Sequence, residues 1–315
     1  MRTRAFSLIL LTALVGAASG CEEIVVAGIA AISPPHAPQP SNDDWSTFWT
    51  GSTDAGGSQG VYTEWDASGA GNVPQWIQIT EDQGLRPVVV LGITSALDDP
   101  GKQAALRSLL TALAVEHHIG YVALGNEIDR SSRVNELVPF INELAAFVHS
   151  LGTATQVFTT FHYEHMLTLP DPAGLVASLP ELDLLGFTTY PFMSYWTPVL
   201  IPASYYAPIS RWTTKPVAFT EVAWPSRVSH PGYPNIHGSE SDQVLFIQAF
   251  WNTLIRGLDT RFVHWFALSD TSDWHETDPI TSFKQVFASC GLMRNTGAAK
   301  PALAAWNAFG NVPAW

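Results

Sequence analysis

Short apolar runs alternate along the chain with segments in which apolar residues recur every three or four positions. We interpret the runs as strands buried on both faces and the segments between them as amphipathic helices. The predicted strands are 25–32, 60–65, 87–93, 121–125, 156–161, 184–189, 216–220 and 262–267. This alternation indicates an α/β protein with a parallel sheet, and eight repeats predict a single (β/α)8 TIM barrel.

Several helix boundaries carry residues that favour helix ends. Asp99 directly before Pro100 predicts a capped helix start, and Gly152 predicts the end of the helix after the fourth strand. Ser239, followed by acidic residues, resembles a capping box before the seventh helix. A last helix is expected to begin at Pro301.

The first twenty residues have the features of an export signal. A basic start precedes an apolar stretch over 5–18 that is too short to span a membrane comfortably. Small residues directly before Cys21 resemble a bacterial lipobox. We therefore expect residues 1–20 to be a signal peptide and Cys21 to be lipidated, giving an exported cell-envelope lipoprotein. Ordinary secretion is the alternative.

The mature chain, 21–315, is expected to be one domain, since no stretch has the composition of an interdomain linker. Cys290 is the second of two cysteines, which excludes a disulfide framework. It is either a buried thiol or the partner of Cys21 in a single disulfide.

Composition narrows the class of partner. Hydrophobic residues make up 46% of the chain and charged residues 14%, enough for a large core. A net charge of −13 argues against nucleic acid or anionic lipid as a partner. The chain has 12 Trp and 8 Tyr, which suit neutral ligands that stack on aromatic rings. We expect a monomer that touches the membrane only through its lipid anchor.

Two glutamates follow the fourth and seventh predicted strands. Alternate residues share a face of a strand, so counting from Ala123 to Glu127 and from Phe219 to Glu221 places both carboxylates in the barrel mouth. Asn126 would face the other way in a regular strand, so its use in the same site requires an irregular strand end. Two carboxylates at this end of a barrel suggest cleavage of a glycosidic bond.

Four segments resemble those of glycoside hydrolase clan A, the retaining (β/α)8 enzymes with catalytic glutamates on strands four and seven. The segments are 125–127, 185–192, 220–226 and 263–270. The resemblance implies that Glu127 is the acid/base and Glu221 the nucleophile. It also implies that Asn126 holds a sugar 2-hydroxyl, that Tyr190 orients the nucleophile, and that Trp265 floors the subsite at the cleavage point.

One feature of the clan is missing. Its members often carry an arginine on the second strand near the nucleophile, whereas 60–65 has none and Arg86 starts the third strand at the opposite end. His162, after the fifth strand, is the candidate replacement donor. Trp196 and Trp224 lie just past strand ends and are candidates for further sugar subsites, with hydrophobic packing of long loops as the alternative.

The retaining mechanism sets requirements for the two carboxyl groups. One must be ionised to attack the anomeric carbon and the other protonated to release the leaving oxygen, at a separation of roughly 5–5.5 Å. We expect repulsion and partial burial to hold Glu127 protonated while Glu221 stays charged, stabilised by the Tyr190 hydroxyl.

The sequence thus predicts a retaining glycoside hydrolase that cleaves a β-linked neutral oligo- or polysaccharide through a covalent intermediate. The segments resemble endo-β-galactanases and β-1,3-glucanases more than other branches. No cofactor is required, and no complete set of metal ligands is identifiable. Two alternatives share the barrel: a glucan-remodelling transglycosylase, and a non-catalytic carbohydrate-binding surface lipoprotein that would not need both glutamates.

Overall fold

A parallel sheet organises the computed structural model, which describes residues 26–31, 58–64, 73–82, 84–227, 236–270 and 284–310. Within these residues its strands are β1 (Val26–Ala31), β2 (Ser58–Glu64), β3 (Arg86–Gly92), β4 (Tyr121–Leu124), β5 (Gln156–Phe158), β6 (Thr160–His162), β7 (Leu185–Thr189), β8 (Val217–Val222) and β9 (Thr260–Trp265). Their order is β5-β4-β3-β2-β1-β9-β8-β7-β6. The expected strands are therefore present, with the fifth divided at Thr159.

The two edges of this sheet come from one stretch of chain. β5 pairs with β4, and β6, which begins two residues after β5 ends, pairs with β7. Between them the Thr159 hydroxyl donates a hydrogen bond to the carbonyl of Leu124 at 2.7 Å. Consecutive strands pair with one another from β1 to β5 and from β6 to β9, and β9 pairs with β1.

Helices connect most of the described strands. They are α1 (Val73–Asp82), α2 (Pro100–Thr111), α3 (Val134–Ser150), α4 (Tyr163–Met166), α5 (Pro172–Ala177), α6 (Ile209–Trp212), α7 (Glu240–Ala249), α8 (Lys284–Ala288) and α9 (Pro301–Gly310). A separate parallel pair, β10 (Ala267–Ser269) and β11 (Gly291–Met293), follows β9.

The predicted helix ends are confirmed. The Asp99 carboxylate accepts a hydrogen bond from the Gly101 amide at 2.9 Å and caps α2. The Ser239 hydroxyl accepts one from the Asp242 amide at 3.0 Å and caps α7. Gly152, after α3, has a φ of 70°, a left-handed conformation that glycine adopts at little cost.

The core has two parts, one on each face of the sheet. The smaller cluster consists of inward-facing residues from six strand segments: Val88, Val90, Ala123, Phe158, Leu184, Ala218 and Phe262. The larger cluster lies between the strands and the helices. Gly186 makes room on the inner face, because a Cβ there would lie 2.9 Å from the Phe158 ring and from Thr160. This packing occupies the inner face below the carboxyl ends of the strands.

A buried ion pair ties the segment after β8 to the segment after β9. Lys300 Nζ lies 2.6 Å from Asp270 Oδ1, with both side chains fully buried. The same ammonium donates to the Ser226 hydroxyl at 2.8 Å and to the Gly291 carbonyl at 2.9 Å. Lys300 therefore joins the segments that follow β8 and β10 to the start of β11.

We expect Lys300→Met to lower the free energy of unfolding by about 3–5 kcal/mol, because it leaves Asp270 buried without a counter-charge. Urea denaturation at pH 7 measures the loss. Lys300→Met combined with Asp270→Asn should recover a large part of it, since neither charge then remains buried. A double variant as unstable as Lys300→Met alone would contradict the ion-pair explanation.

The predictions about the amino terminus lie outside the described residues. Residues 1–20 and Cys21 are among those not described, so export and lipidation stay predictions. Cys290 carries a free, buried thiol, and its Sγ donates to the Val286 carbonyl at 3.4 Å. None of the described helices has the length and apolar character needed to cross a membrane.

Candidate active site

Glu127 lies just beyond β4, where the strand end is irregular as predicted. Gly125 has a φ of 91° and Glu127 a φ of 47°, both in the left-handed region. A Cβ at Gly125 would lie 2.5 Å from Ile128 Cγ2, so glycine is needed there. Glu127 itself adopts this conformation at a cost of about 1–3 kcal/mol, as strained residues at functional sites often do.

Four hydrogen bonds hold the Glu127 segment. Thr188 Oγ1 donates to Glu127 Oε1 at 2.7 Å, and Arg130 Nη1 donates to Glu127 Oε2 at 3.0 Å. The Glu127 amide donates to Thr160 Oγ1 at 2.7 Å, which in turn donates to Asn126 Oδ1 at 2.6 Å. Inward threonines on β6 and β7 thus position the carboxylate and the amide side chain beside it.

Glu221 faces inward because β8 is irregular. The register between β7 and β8 shifts after Phe187 and Phe219, so that Thr188 is opposite Glu221. Phe219 packs in the outer layer against Phe250, with ring centroids 5.2 Å apart. The expectation that Phe219 and Glu221 share a face is therefore wrong. The irregularity, and not strand alternation, directs the carboxylate inward.

Burial dominates the electrostatics of Glu221. Only 4% of the residue is exposed, and the Tyr190 hydroxyl donates to its Oε2. Burial raises the pKa of Glu221 to about 8, against the opposing hydrogen bond from Tyr190, and repulsion from Glu127 adds to the rise. No ion pair between described residues includes Glu221.

Burial acts mainly on Glu221. Partial burial was expected to hold Glu127 protonated while Glu221 stayed charged, but Glu221 is the buried member of the pair, and burial raises its pKa to about 8. Glu127 instead forms an ion pair with Arg130.

Arg86 lies at the opposite end of the sheet, as expected. It lines a cavity of about 440 Å³ at the amino-terminal ends of β3, β4 and β5, away from both glutamates.

Tyr190 and His162 lie side by side. Their ring centroids are 5.7 Å apart, and His162 is opposite Thr188 in the pairing of β6 with β7. His162 Nδ1 accepts a hydrogen bond from the His165 amide at 3.1 Å, so the neutral ring carries its proton on Nε2. His162 is thus a neighbour of the residues that contact both glutamates.

The structure corrects the assignment of Trp265 as a sugar platform. Trp265 is fully buried in the outer layer, and its Nε1 donates to the Cys290 carbonyl at 2.6 Å. Its ring packs against Trp306 on α9. The next residue, Phe266, lies beside Tyr190, with ring centroids 6.1 Å apart. Strand alternation turns Trp265 toward the helices and away from any substrate.

Of the two loop tryptophans, one remains accessible. Trp224 is fully buried against Phe192 and Phe246, so the prediction of a subsite there is wrong and the packing alternative is correct. Trp196 is 56% exposed and stacks on His237 with ring centroids 3.6 Å apart. Trp196 thus keeps an accessible aromatic surface.

Sequence reasoning missed the polar residues that hold the two glutamates. Thr160, Thr188 and Arg130 contact the Glu127 segment, and Glu164 contacts the backbone of Tyr190. Thr188, at the end of β7, was a usable signal, because a buried polar residue at a strand end needs a hydrogen-bond partner. Within the described residues, no group of three or more His, Cys, Asp or Glu is arranged to hold a metal ion.

Comparison with known proteins identifies the fold. No family model and no curated protein sequence matches the chain. Among solved structures, the exo-beta-1,4-mannosidase Op5Man5 from Opitutaceae bacterium strain TAV5 has a TM-score of 0.63 at 14% identity, over 91% of this chain and 59% of that one. A GH5_18 protein from Streptomyces cattleya, in complex with Manβ1-4GlcNAc, has a TM-score of 0.67 at 15% identity, over 92% and 82%.

A beta-glucuronidase from Ruminococcus gnavus has a TM-score of 0.60 at 11% identity, over 91% of this chain and 50% of that one. The chain therefore spans between half and about four fifths of the length of these structures. The likeness covers more than nine tenths of this chain in each case. The chain is therefore similar in fold to TIM-barrel proteins, and the three solved structures named here are glycoside hydrolases.

Proposed function

We propose that the protein is a retaining glycoside hydrolase, with Glu221 as the nucleophile and Glu127 as the acid/base. One observation carries the proposal: glutamates from the ends of β4 and β8 interact electrostatically, and a tyrosine hydroxyl holds the buried one. We further propose that the sheet closes as one (β/α)8 barrel. The pairing of β5 with β4 and of β6 with β7 supports closure.

The reaction would proceed in two balanced steps. In the first, a Glu221 oxygen attacks the anomeric carbon while Glu127 gives its proton to the departing glycosidic oxygen, forming a covalent glycosyl ester. In the second, Glu127 takes a proton from water, the water oxygen attacks the same carbon, and the Glu221 carboxylate leaves. Two inversions at the anomeric carbon give net retention.

The raised pKa of Glu221 favours its protonated form before sugar binds, whereas a nucleophile must be ionised to attack. The proton on Glu221 has to move to Glu127 before the first step, and the interaction between the two carboxyl groups provides the coupling. A sugar that displaces Arg130 from Glu127 would favour this transfer, because it removes the cation that stabilises the Glu127 carboxylate. One shared proton is also what a retaining pair requires.

We propose a β-linked neutral oligo- or polysaccharide as the substrate. Two of the solved structures named above concern β-1,4-linked mannosides, and the third is a beta-glucuronidase. A net charge of −13 disfavours polyanionic substrates, and the exposed Trp196 ring suits a neutral pyranose. Asn126, held by Thr160, would contact the sugar 2-hydroxyl.

A panel of neutral β-mannan, β-glucan and β-galactan, with β-1,4-linked polymannuronate as a charged comparison, tests the proposal. We expect new reducing ends from a neutral polymer and none from polymannuronate. Proton NMR of the first product should show the β-anomer before mutarotation. An α-anomer as first product would overturn retention. Products longer than the substrate on addition of an oligosaccharide acceptor would show transglycosylation.

A further inference from the structure

Glu164 is a buried carboxylate that the proposed reaction does not use. It lies on α4, two residues after the end of β6, and about 10% of its side chain is exposed. Burial raises the pKa of Glu164, against a hydrogen bond from Thr189 and the attraction of His162. A buried carboxylate without hydrogen-bond partners would destabilise the fold. The contacts that Glu164 makes therefore indicate its role.

One oxygen of Glu164 accepts three hydrogen bonds. Thr189 Oγ1 donates at 2.7 Å, the Tyr190 amide at 2.9 Å and the Tyr205 hydroxyl at 2.9 Å, all to Oε1. The other oxygen, Oε2, is buried without a hydrogen-bond partner among the described residues and lies 3.6 Å from His162 Nδ1. Glu164 therefore acts mainly as an acceptor for the end of β7.

Tyr190 needs such an acceptor because the strand ends before it. The last β7–β8 pair joins Thr189 and Val222, and Tyr190 has a φ of −136° and a ψ of 68°, outside the strand. Its amide donates to Glu164, and its hydroxyl, at the far end of the same residue, donates to Glu221. Two hydrogen bonds, one at each end of Tyr190, thus join Glu164 to Glu221.

We propose that Glu164 is a positioning residue for Glu221, acting through Tyr190 by accepting the hydrogen bond of its backbone amide. The inference rests on the proposed function for its catalytic meaning, while the link from Glu164 to Glu221 is a property of the structure alone. A glutamine at this position keeps the acceptor oxygen, so the acceptor and not the negative charge carries the effect.

The first test follows the titration of Glu221 by carbon NMR of ¹³C-labelled glutamate, with Glu221→Gln to assign the signal. We expect Tyr190→Phe to raise the pKa of Glu221 by roughly one unit, since it removes a hydrogen bond to the charged form. Glu164→Ala should raise it by a similar amount, with no further rise when the two changes are combined. An unchanged titration in Glu164→Ala, or additive shifts in the double variant, would overturn the proposal.

Two matched variants distinguish loss of the acceptor for the Tyr190 amide from a general destabilisation of the packing around Glu164. Glu164→Gln should leave the titration of Glu221 as in the wild type. Tyr205→Phe removes a different hydrogen bond to the same Oε1 and should also leave it unchanged. Glu164→Met fills a similar volume without an acceptor and replaces the alanine variant if that protein does not fold. A rise in the pKa of Glu221 that is as large in Glu164→Gln as in Glu164→Ala would refute the acceptor role.

The second test measures kcat and KM of the Glu164 variants on a saccharide that the wild type cleaves. Glu164→Ala should lower kcat about tenfold or more with KM changed less than about threefold, because it disturbs the nucleophile and not sugar binding. Glu164→Gln should stay within about threefold of wild type. The titration needs no turnover. A protein that cleaves nothing therefore refutes the proposed function and leaves the Glu164–Glu221 link to be decided by NMR.

Discussion

Glu221→Ala is expected to lose glycosidase activity by roughly 10³-fold or more, because it removes the carboxylate that would form the glycosyl ester. Glu127→Ala should lose comparably on substrates with poor leaving groups and much less on aryl glycosides with good ones, since only the former need protonation. Initial rates on both substrate types measure the difference. Glu116→Ala removes an exposed carboxylate on the helical segment before β4 and should retain full activity.

Azide separates the two roles further. In Glu221→Ala the small anion can enter the cavity left by the carboxylate and attack the anomeric carbon directly, giving an α-glycosyl azide. In Glu127→Ala it attacks the covalent intermediate from the opposite side, giving the β-azide. Opposite anomers from the two variants would support the assignment. Full activity in Glu221→Ala, or a β-azide from it, would show that Glu221 is not the nucleophile.

Glu221→Gln is expected to make the protein more stable, and increasingly so as pH rises. The folded-state pKa of about 8 lies above the unfolded value near 4.5. Between these values the folded state keeps a proton that the unfolded state has lost, so wild-type stability falls as pH rises. The loss is absent below the unfolded pKa and complete once pH passes the folded pKa. At pH 9 the glutamine variant should gain roughly 3–5 kcal/mol.

Urea denaturation of wild type and Glu221→Gln at pH 4, 6, 8 and 9 measures this gain. Titrating groups that do not interact with Glu221 cancel in the difference between the two proteins. The difference should grow from pH 4.5 to 8 and then level off. Glu116→Gln, at an exposed position, should show a flat and small difference. A pH-independent difference for Glu221→Gln would mean that Glu221 is ionised in the folded protein.

Periodicity and capping residues predicted the elements of the fold well. Apolar runs that are buried on both faces locate strands, and Asp99, Gly152 and Ser239 locate helix ends, because both signals depend on neighbouring residues only. Eight predicted strands correspond to the nine strands of the larger sheet, since Thr159 interrupts the fifth. The divided strand was not predictable, because it results from pairing with two different neighbours.

The candidate site was predictable in part. The positions of Glu127 and Glu221 at strand ends follow from the sequence, but the direction of Glu221 depends on a register shift against β7. The prediction for Trp265 failed although its strand is regular here. Alternation from Phe262, which lies on the inner face, places Trp265 on the outer face. The support from Glu164 depends on a contact between segments 26 residues apart. Local patterns carry no information about such contacts.

The left-handed backbone of Glu127 has an evolutionary consequence. A glycine there would relieve the strain of the conformation, and a neutral residue in place of Glu221 would relieve its desolvation. Both acids are therefore held against the stability of the fold. If the proposed glycosidase activity lost its selective value, replacing either acid would raise the stability of the fold, so neither acid would be retained for its contribution to stability.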